Sequence, residues 1–119
     1  AIGTTIQTEV MIPTTLPISA FDVNIILGNL LDNATNALKQ CKDKRLYVKI
    51  EYESGVLYVV VKNTFIASCK TDVKEGYGTG LMSVSNTVEK YNGTMKCTKQ
   101  DNVFNVNIMI YPEIMQVSP

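Results

Sequence analysis

Two segments decide the interpretation of this chain: Gly28-Asn29-Leu30-Leu31-Asp32-Asn33-Ala34 and Gly76-Tyr77-Gly78-Thr79-Gly80-Leu81. The first lies in an amphipathic pattern and offers carboxamide oxygens, which suit a hydrated Mg²⁺. The second is a glycine-rich loop that runs into a helical pattern, and its thin backbone is open to contact by phosphates. Together they predict a nucleotide site, although neither segment would suffice alone.

The first segment belongs to a helical pattern from about Ala20 to Gln40, for which Ser19 is the N-cap candidate. Asn is a poor helix former, and an ordinary solvated face would carry Glu and Lys instead. The polar stripe is therefore either a ligand surface or simply a polar outer face. The apolar stripe comprises Val23, Leu27, Leu30, Leu31, Ala34 and Leu38, and the polar stripe Asp22, Asn29, Asn33, Asn36 and Gln40,.

The glycine loop has the chemistry of an anion site but matches neither common phosphate motif. Successive N–H groups before a helix can bind an anion. However, Leu81 stands where a dinucleotide motif would need its last glycine, and no Lys-Ser/Thr pair follows as in a P-loop,. A hinge loop is therefore an equal alternative for this segment alone.

The composition limits the classes of protein to which this chain can belong. With 119 residues and 45% hydrophobic content, residues 1–119 form one domain with a small core,. Eleven basic and eleven acidic residues give zero net charge, which disfavours binding to nucleic acid,. Three scattered cysteines favour neither a disulfide framework nor a zinc site and are typical of the reducing cytosol,. The sequence has neither a signal-like segment nor a membrane-spanning apolar run, and its start without Met suggests a piece of a longer protein,.

The order of patterns along the chain is β-α-β-β-loop-α-β-β. This order predicts an α/β (α+β) two-layer sandwich, with a mixed sheet and helices packed on one face. An alternating segment around Ile6–Ile12 predicts a half-buried first strand. The later expectations are strands at Leu46–Tyr52 and Val56–Val61 joined by a hairpin at 53–55, a loop from Asn63 to Gly76, a helix from Gly80 to Tyr91 stopped by Asn92-Gly93, and strands at Thr94–Lys99 and Val103–Tyr111 joined at 100–102,.

These motifs resemble those of the GHKL ATPases, which have the Bergerat ATP-binding fold. Asn29 and Asn33 match the N-box, Asn63 stands at the G1 position, and Gly76–Leu81 matches the G2 box. The likeness is greatest to the ATP-binding catalytic domain of bacterial sensor histidine kinases. The short lid, Thr64 to Glu75, and the variant G1 box resemble the peptide-sensing, quorum-type subfamily.

The resemblance implies a role for each matched residue on the first helix. Asn33 is the expected Mg²⁺ ligand, through its side-chain oxygen, and Asn29 lines the phosphates; both are the expected catalytic residues. In hydrolysing branches of the family the Asn29 position is a Glu that activates water. Because a carboxamide cannot take that proton, Asn29 favours transfer to another acceptor. Asn36 lies at a nucleotide-binding position that is often Lys or Arg in related kinases.

The remaining matched positions complete the nucleotide site. The amides of Gly78, Thr79, Gly80 and Leu81 are expected to hold the phosphates, and Gly76 and Tyr77 are further expected nucleotide-binding residues. Asn63 replaces the aspartate of the usual G1 box: its Oδ1 would accept from the adenine amino group while its Nδ2 points at a ring nitrogen. The lid lysines Lys70 and Lys74 are either solvated or in contact with phosphate.

The resulting function hypothesis is ATP-dependent histidine phosphorylation in a two-component signal-transduction system. The chain would bind Mg²⁺ and ATP and donate the γ-phosphate to a histidine on separate dimerisation helices, since it contains no histidine itself. A response regulator would act downstream, and the whole protein would be dimeric and membrane-anchored with this domain in the cytoplasm. Two alternatives stay open: a nucleotide-binding regulator of the anti-sigma or degenerate-kinase type, and an α/β interaction domain with structural Asn and Gly residues.

Overall fold

The computed structural model describes residues 4–66 and 79–112. A single five-stranded sheet has the order β1-β2-β3-β5-β4, with β1 parallel to β2 and every other neighbouring pair antiparallel. Two helices pack on one face, which confirms the predicted mixed-sheet sandwich. The elements are β1 (Thr4–Met11), α1 (Ala20–Leu38), β2 (Lys44–Glu53), β3 (Val56–Thr64), α2 (Thr79–Lys90), β4 (Thr94–Gln100) and β5 (Val103–Ile110).

Both predicted hairpins are present, and each turns on two left-handed residues. Ser54 and Gly55 have φ values of 54° and 79°, and Asp101 and Asn102 have values of 51° and 66°. Two successive positive φ angles match the right-handed twist of the paired strands. These short turns fix the β2–β3 and β4–β5 registers.

The core lies between the sheet and the two helices. The buried stripe of α1 recurs every four residues and includes Ile26, which the sequence interpretation omitted. Val23, Leu27 and Leu31, which were assigned to the apolar stripe, are only partly buried along its flank. The stripe consists of Asp22, Ile26, Leu30, Ala34 and Leu38. Asp22 was assigned to the polar face, and that assignment is wrong.

The expectation of a half-buried first strand is also wrong, because β1 is an edge strand. The side chains of Ile6 and Val10 are 62% and 57% exposed. They lie in register with Leu46 and Ile50 of β2, on the face that carries the helices. However, α1 packs over β2 and β3, so these apolar side chains remain in contact with water.

The loop expected from Asn63 begins later than predicted. Asn63 and Thr64 are the last two residues of β3. The Thr64 hydroxyl donates to the Asp43 carbonyl at 2.8 Å and accepts from the Arg45 amide at 3.1 Å. These bonds extend the β2–β3 pairing beyond the apolar run that defined the expected strand. Among the residues described, no helix is long and apolar enough to cross a membrane.

Candidate functional site

The two helices run antiparallel, and their contact brings the asparagine stripe to the beginning of α2. A methyl carbon added at Gly80 would lie 3.1 Å from Asn29 Oδ1. At the other end of the contact, Lys90 and Tyr91 reach Asp22 near the start of α1. The predicted N-box and the described part of the predicted G2 box are therefore neighbours.

The Asn29 carboxamide has a defined orientation. Its Nδ2 donates to the carbonyl of Ile25, one turn earlier, at 2.8 Å. The side-chain oxygen is consequently the atom directed at Gly80 and the first turn of α2. The first N–H groups of a helix have no acceptor within the helix and carry its positive dipole end. An oxygen acceptor and an anion-attracting helix terminus thus lie side by side.

Asn33 lies one turn beyond Asn29 on the same face of α1. Its side chain is partly buried and makes no hydrogen bond within residues 4–66 and 79–112, so its oxygen is available to a ligand. Asn36 is exposed and lies farther along the helix. Mg²⁺, the metal that the resemblance implies, prefers hard oxygen donors beside substrate phosphates, and the two carboxamides fit it. No cluster of three His, Cys, Asp or Glu residues occurs in the described ranges.

The glycine loop is only partly described. Gly76, Tyr77 and Gly78, together with Lys70 and Lys74, lie outside the described residues. Thr79, Gly80 and Leu81 form the first turn of α2. The side chain of Leu81 is only 6% exposed and packs in the core. Any contact between Leu81 and a phosphate must therefore use the backbone amide, which is the contact that the resemblance implies.

Asn63 lies at the carboxyl end of β3, on the sheet face that carries the helices, and is 2% exposed. Its Nδ2 donates to the Thr64 carbonyl at 2.9 Å. This bond uses one of the two N–H groups of Nδ2,. The second N–H and Oδ1 are the atoms left for an adenine ring nitrogen and the adenine amino group, and both of those contacts stay predictions.

A surface cleft of about 420 Å³ opens beside the end of β3. The Phe65 and Phe104 rings meet edge to face near it, at 6.4 Å between centroids, and the Phe65 amide donates to the Asn102 carbonyl. Lys99 Nζ lies 5.9 Å from both ring centroids. The lining residues are Cys41, Lys42, Asp43, Thr64, Phe65, Ile66 and Asn102. No sequence motif indicated this cleft, because its walls come from three separate segments of the chain.

A buried polar cluster that the sequence patterns did not predict joins the two helices. Asp22 is 2% exposed, accepts from the Tyr91 hydroxyl, and lies 3.0 Å from Lys90 Nζ. The bond from Tyr91 is the main reason that the pKa of Asp22 is lowered, against the opposing effect of burial. Burial and the same bond raise the pKa of Tyr91. The sequence signal for the burial of Asp22 is its position four residues before Ile26, in line with the buried stripe of α1.

A family profile for the GHKL domain matches residues 18–111, so the chain belongs to the GHKL domain family. This match covers both helices, the described site residues and four of the five strands. A sequence comparison with curated proteins finds no match.

Solved structures show the same fold in histidine kinases. The histidine kinase domain of the Erythrobacter litoralis EL346 blue-light activated kinase superposes with a TM-score of 0.78 at 16% identity, covering 98% of this chain and 55% of that one. The nucleotide-free catalytic domain of the histidine kinase ThkA gives 0.67 at 17% identity, with 93% and 82% covered. Acinetobacter baumannii histidine kinase AdeS gives 0.67 at 16%, with 92% and 54% covered. The chain thus spans about half the length of the Erythrobacter domain.

Proposed function

We propose that this chain is the ATP-binding catalytic domain of a sensor histidine kinase. The observation that carries the proposal is the contact between Asn29 and Gly80, which places carboxamide oxygens beside the amino end of α2. Membership of the GHKL domain family and the fold of histidine kinase catalytic domains support the same function. The nucleotide would bind between α1 and α2, with its phosphates at the first turn of α2.

The described residues suit phosphoryl transfer rather than hydrolysis. The amides of Gly80 and Leu81 would donate to phosphate oxygens, and the carboxamide of Asn33 would hold the metal. Mg²⁺, when bound, would neutralise charge on the β- and γ-phosphates. Asn29 has no basic atom that could take a proton from water near neutral pH. Catalysis would therefore rest on positioning and charge neutralisation.

The acceptor must be supplied from outside the chain, which contains no histidine. An imidazole nitrogen would form a bond to the γ-phosphorus while the bond to the β–γ bridging oxygen breaks. ADP would leave with that electron pair, and the imidazole would release its proton to solvent. This chain's part is to hold the nucleotide so that the γ-phosphate faces the incoming ring.

The proposal also covers the rest of the protein and its partners. We place the acceptor on dimerisation helices of the same protein and a response regulator downstream, as in two-component signal transduction. The protein would be a membrane-anchored dimer, with this domain on the cytoplasmic side. The assignment to the peptide-sensing, quorum-type subfamily is supported by the short segment between Thr64 and Thr79 and by the variant G1 box, in which no glycine stands in the stretch Val61–Phe65 around Asn63.

A second candidate is a nucleotide-binding regulator without histidine phosphotransfer. One observation favours it: Asn63 is engaged with the main chain through Nδ2, and an amide replaces the carboxylate expected at this position. A neutral acceptor would hold the adenine amino group less firmly than an aspartate. Such a domain would still bind Mg²⁺ and ATP.

Phosphotransfer to a supplied acceptor separates the two candidates. The chain would be mixed with labelled ATP, Mg²⁺ and a separately produced dimerisation segment that carries the acceptor histidine. The kinase proposal predicts acid-labile label on that segment, and no label when its histidine is replaced by Gln. Nucleotide binding without any transfer to this segment would favour the regulator.

A further inference from the structure

Two glycines of this chain occupy opposite environments on the helices that form the site. A methyl group added at Gly28 on α1 would have no atom within 4 Å. For one added at Gly80 on α2, the three nearest atoms outside its own helix turn would all belong to the side chain of Asn29, with Oδ1 at 3.1 Å and Cβ and Cγ at 3.6 Å. The lack of a side chain at Gly80 therefore lets the Asn29 carboxamide lie close against α2 without crowding.

We propose that Gly80 is a positioning residue that seats the Asn29 carboxamide against the first turn of α2. The family resemblance assigns this glycine to close approach of the phosphates. The geometry adds a second requirement within the protein itself, because the nearest obstacle to a side chain at position 80 is Asn29. This inference rests on the proposed function, since it concerns how the nucleotide site is held together.

Asn29 has little freedom to move away. Its Nδ2 donates to the Ile25 carbonyl at 2.8 Å, which fixes the plane of the carboxamide. A contact of 3.1 Å is too close for an unstrained carbon–oxygen pair, so the two groups must separate by a few tenths of an ångström,. Either the carboxamide gives up its bond to Ile25, or the first turn of α2 moves away from α1. Both responses separate the acceptor oxygen from the helix terminus.

The consequence for the site is a coupling between residues on different elements. Groups in direct contact show non-additive mutational effects, whereas distant sites add. If Gly80 acts by seating Asn29, the effect of Gly80→Ala depends on whether the Asn29 side chain is present. If Gly80 acts only by admitting phosphates to its backbone, that effect is the same in both backgrounds.

A double-mutant cycle on the full chain distinguishes these cases, with the Mg²⁺–ADP dissociation constant from calorimetry as the readout. We expect Gly80→Ala to weaken binding about tenfold in the Asn29 background and less than about twofold in the Asn29→Ala background. Gly28→Ala is the matched control and leaves the constant unchanged. Equal weakening in both backgrounds, or no weakening by Gly80→Ala in the chain with Asn29, would overturn the proposal.

Thermal unfolding of the same four proteins, without nucleotide, separates failure of this inference from failure of the proposed function. The contact predicts that Gly80→Ala lowers the Tm when Asn29 is present and raises it when position 29 is Ala, where only helix propensity acts. Should the chain bind no nucleotide, this sign change would still support the seating contact and the proposed function alone would fail. A Gly80→Ala effect of the same sign in both backgrounds would overturn the contact.

Discussion

At the scale of single residues, a substitution of Asn33 best distinguishes an effect on ligand binding from an effect on stability. Its carboxamide is partly buried yet forms no hydrogen bond within the described part of the chain. We expect Asn33→Ala to abolish the tightening of nucleotide binding by Mg²⁺ while leaving the Tm equal or slightly higher, because Ala is the better helix former by roughly 0.7 kcal/mol. Calorimetry with and without Mg²⁺, beside thermal unfolding, measures both effects.

Asn36→Ala is the matched control for that substitution, since it removes the same group from an exposed position farther along α1. It should change the Mg²⁺ dependence much less than Asn33→Ala does. An Asn33→Ala protein that unfolds but keeps its Mg²⁺-dependent affinity would show that Asn33 has a structural role only.

Asp22 is the residue whose loss should cost the most stability among the polar groups described. It is the buried acceptor for the Tyr91 hydroxyl and the ion-pair partner of Lys90. In Asp22→Ala the Tyr91 hydroxyl loses this acceptor, at a cost of roughly 1–3 kcal/mol in the free energy of unfolding. Urea unfolding measures it, and adding Tyr91→Phe to Asp22→Ala, which removes the donor together with the acceptor, should restore part of the lost stability. An unchanged midpoint for Asp22→Ala would contradict the cluster's importance.

At the scale of elements, the end of α2 combines a capping motif with a tight approach to the sheet. Asn92 adopts φ 58°, and the Gly93 amide donates to the Val88 carbonyl at 2.9 Å, as in a Schellman motif,. A methyl group at Gly93 would lie 2.3 Å from the Met109 carbonyl oxygen. Glycine is therefore required at position 93 because of this close approach. The left-handed conformation of the cap is adopted by Asn92 and not by Gly93.

Gly93→Ala should therefore destabilise the fold by about 1–3 kcal/mol, the usual cost of overpacking. Asn92→Gly, at the left-handed position, is the paired control and should change the free energy of unfolding by less than about 1 kcal/mol. Urea unfolding of both variants provides the comparison. The opposite ranking would mean that the cap conformation, and not the approach to Met109, determines the requirement for glycine.

The element order and both hairpins could be predicted because local residues determine them. Gly55, Asp101 and Asn102 are residue types that tolerate left-handed conformations and mark turns without any help from the rest of the chain,. The two wrong expectations concern burial, which depends on the tertiary structure. The exposure of Ile6 depends on where α1 packs, and the burial of Asp22 depends on donors that arrive from the end of α2.

The proximity of the two motifs at the candidate site was predictable to a similar degree. The asparagine spacing and the glycine loop indicated the two halves, and the resemblance brought them together. The contact between Asn29 and Gly80 and the use of Asn63 Nδ2 by the main chain are tertiary or conformational facts. No pattern in the sequence predicts this contact or this hydrogen bond.

At the scale of the whole molecule, the Asp22 cluster should limit stability at both ends of the pH range. The pKa of Asp22 is lowered in the folded state, mainly by Tyr91. Its contribution is thus present above the unfolded pKa of about 3.9 and is lost as the pH falls through the lower folded value. The pKa values of Tyr91 and Lys90 are raised in the folded state, so their contributions decline as the pH rises above about 10,.

Denaturation midpoints across pH test this, with Asp22→Asn as the reference protein. The variant should show a flatter acid limb between about pH 4 and pH 2, because the group that titrates there is gone. An acid limb as steep as that of the wild type would assign acid unfolding to other carboxylates.

The measurement that tests the central claim most directly is calorimetric titration of the chain with ADP and ATP, with and without Mg²⁺. The two-helix site predicts binding with a dissociation constant on the order of micromolar to millimolar, tighter with Mg²⁺ than without it. Absence of binding of either nucleotide at millimolar concentration would contradict the account.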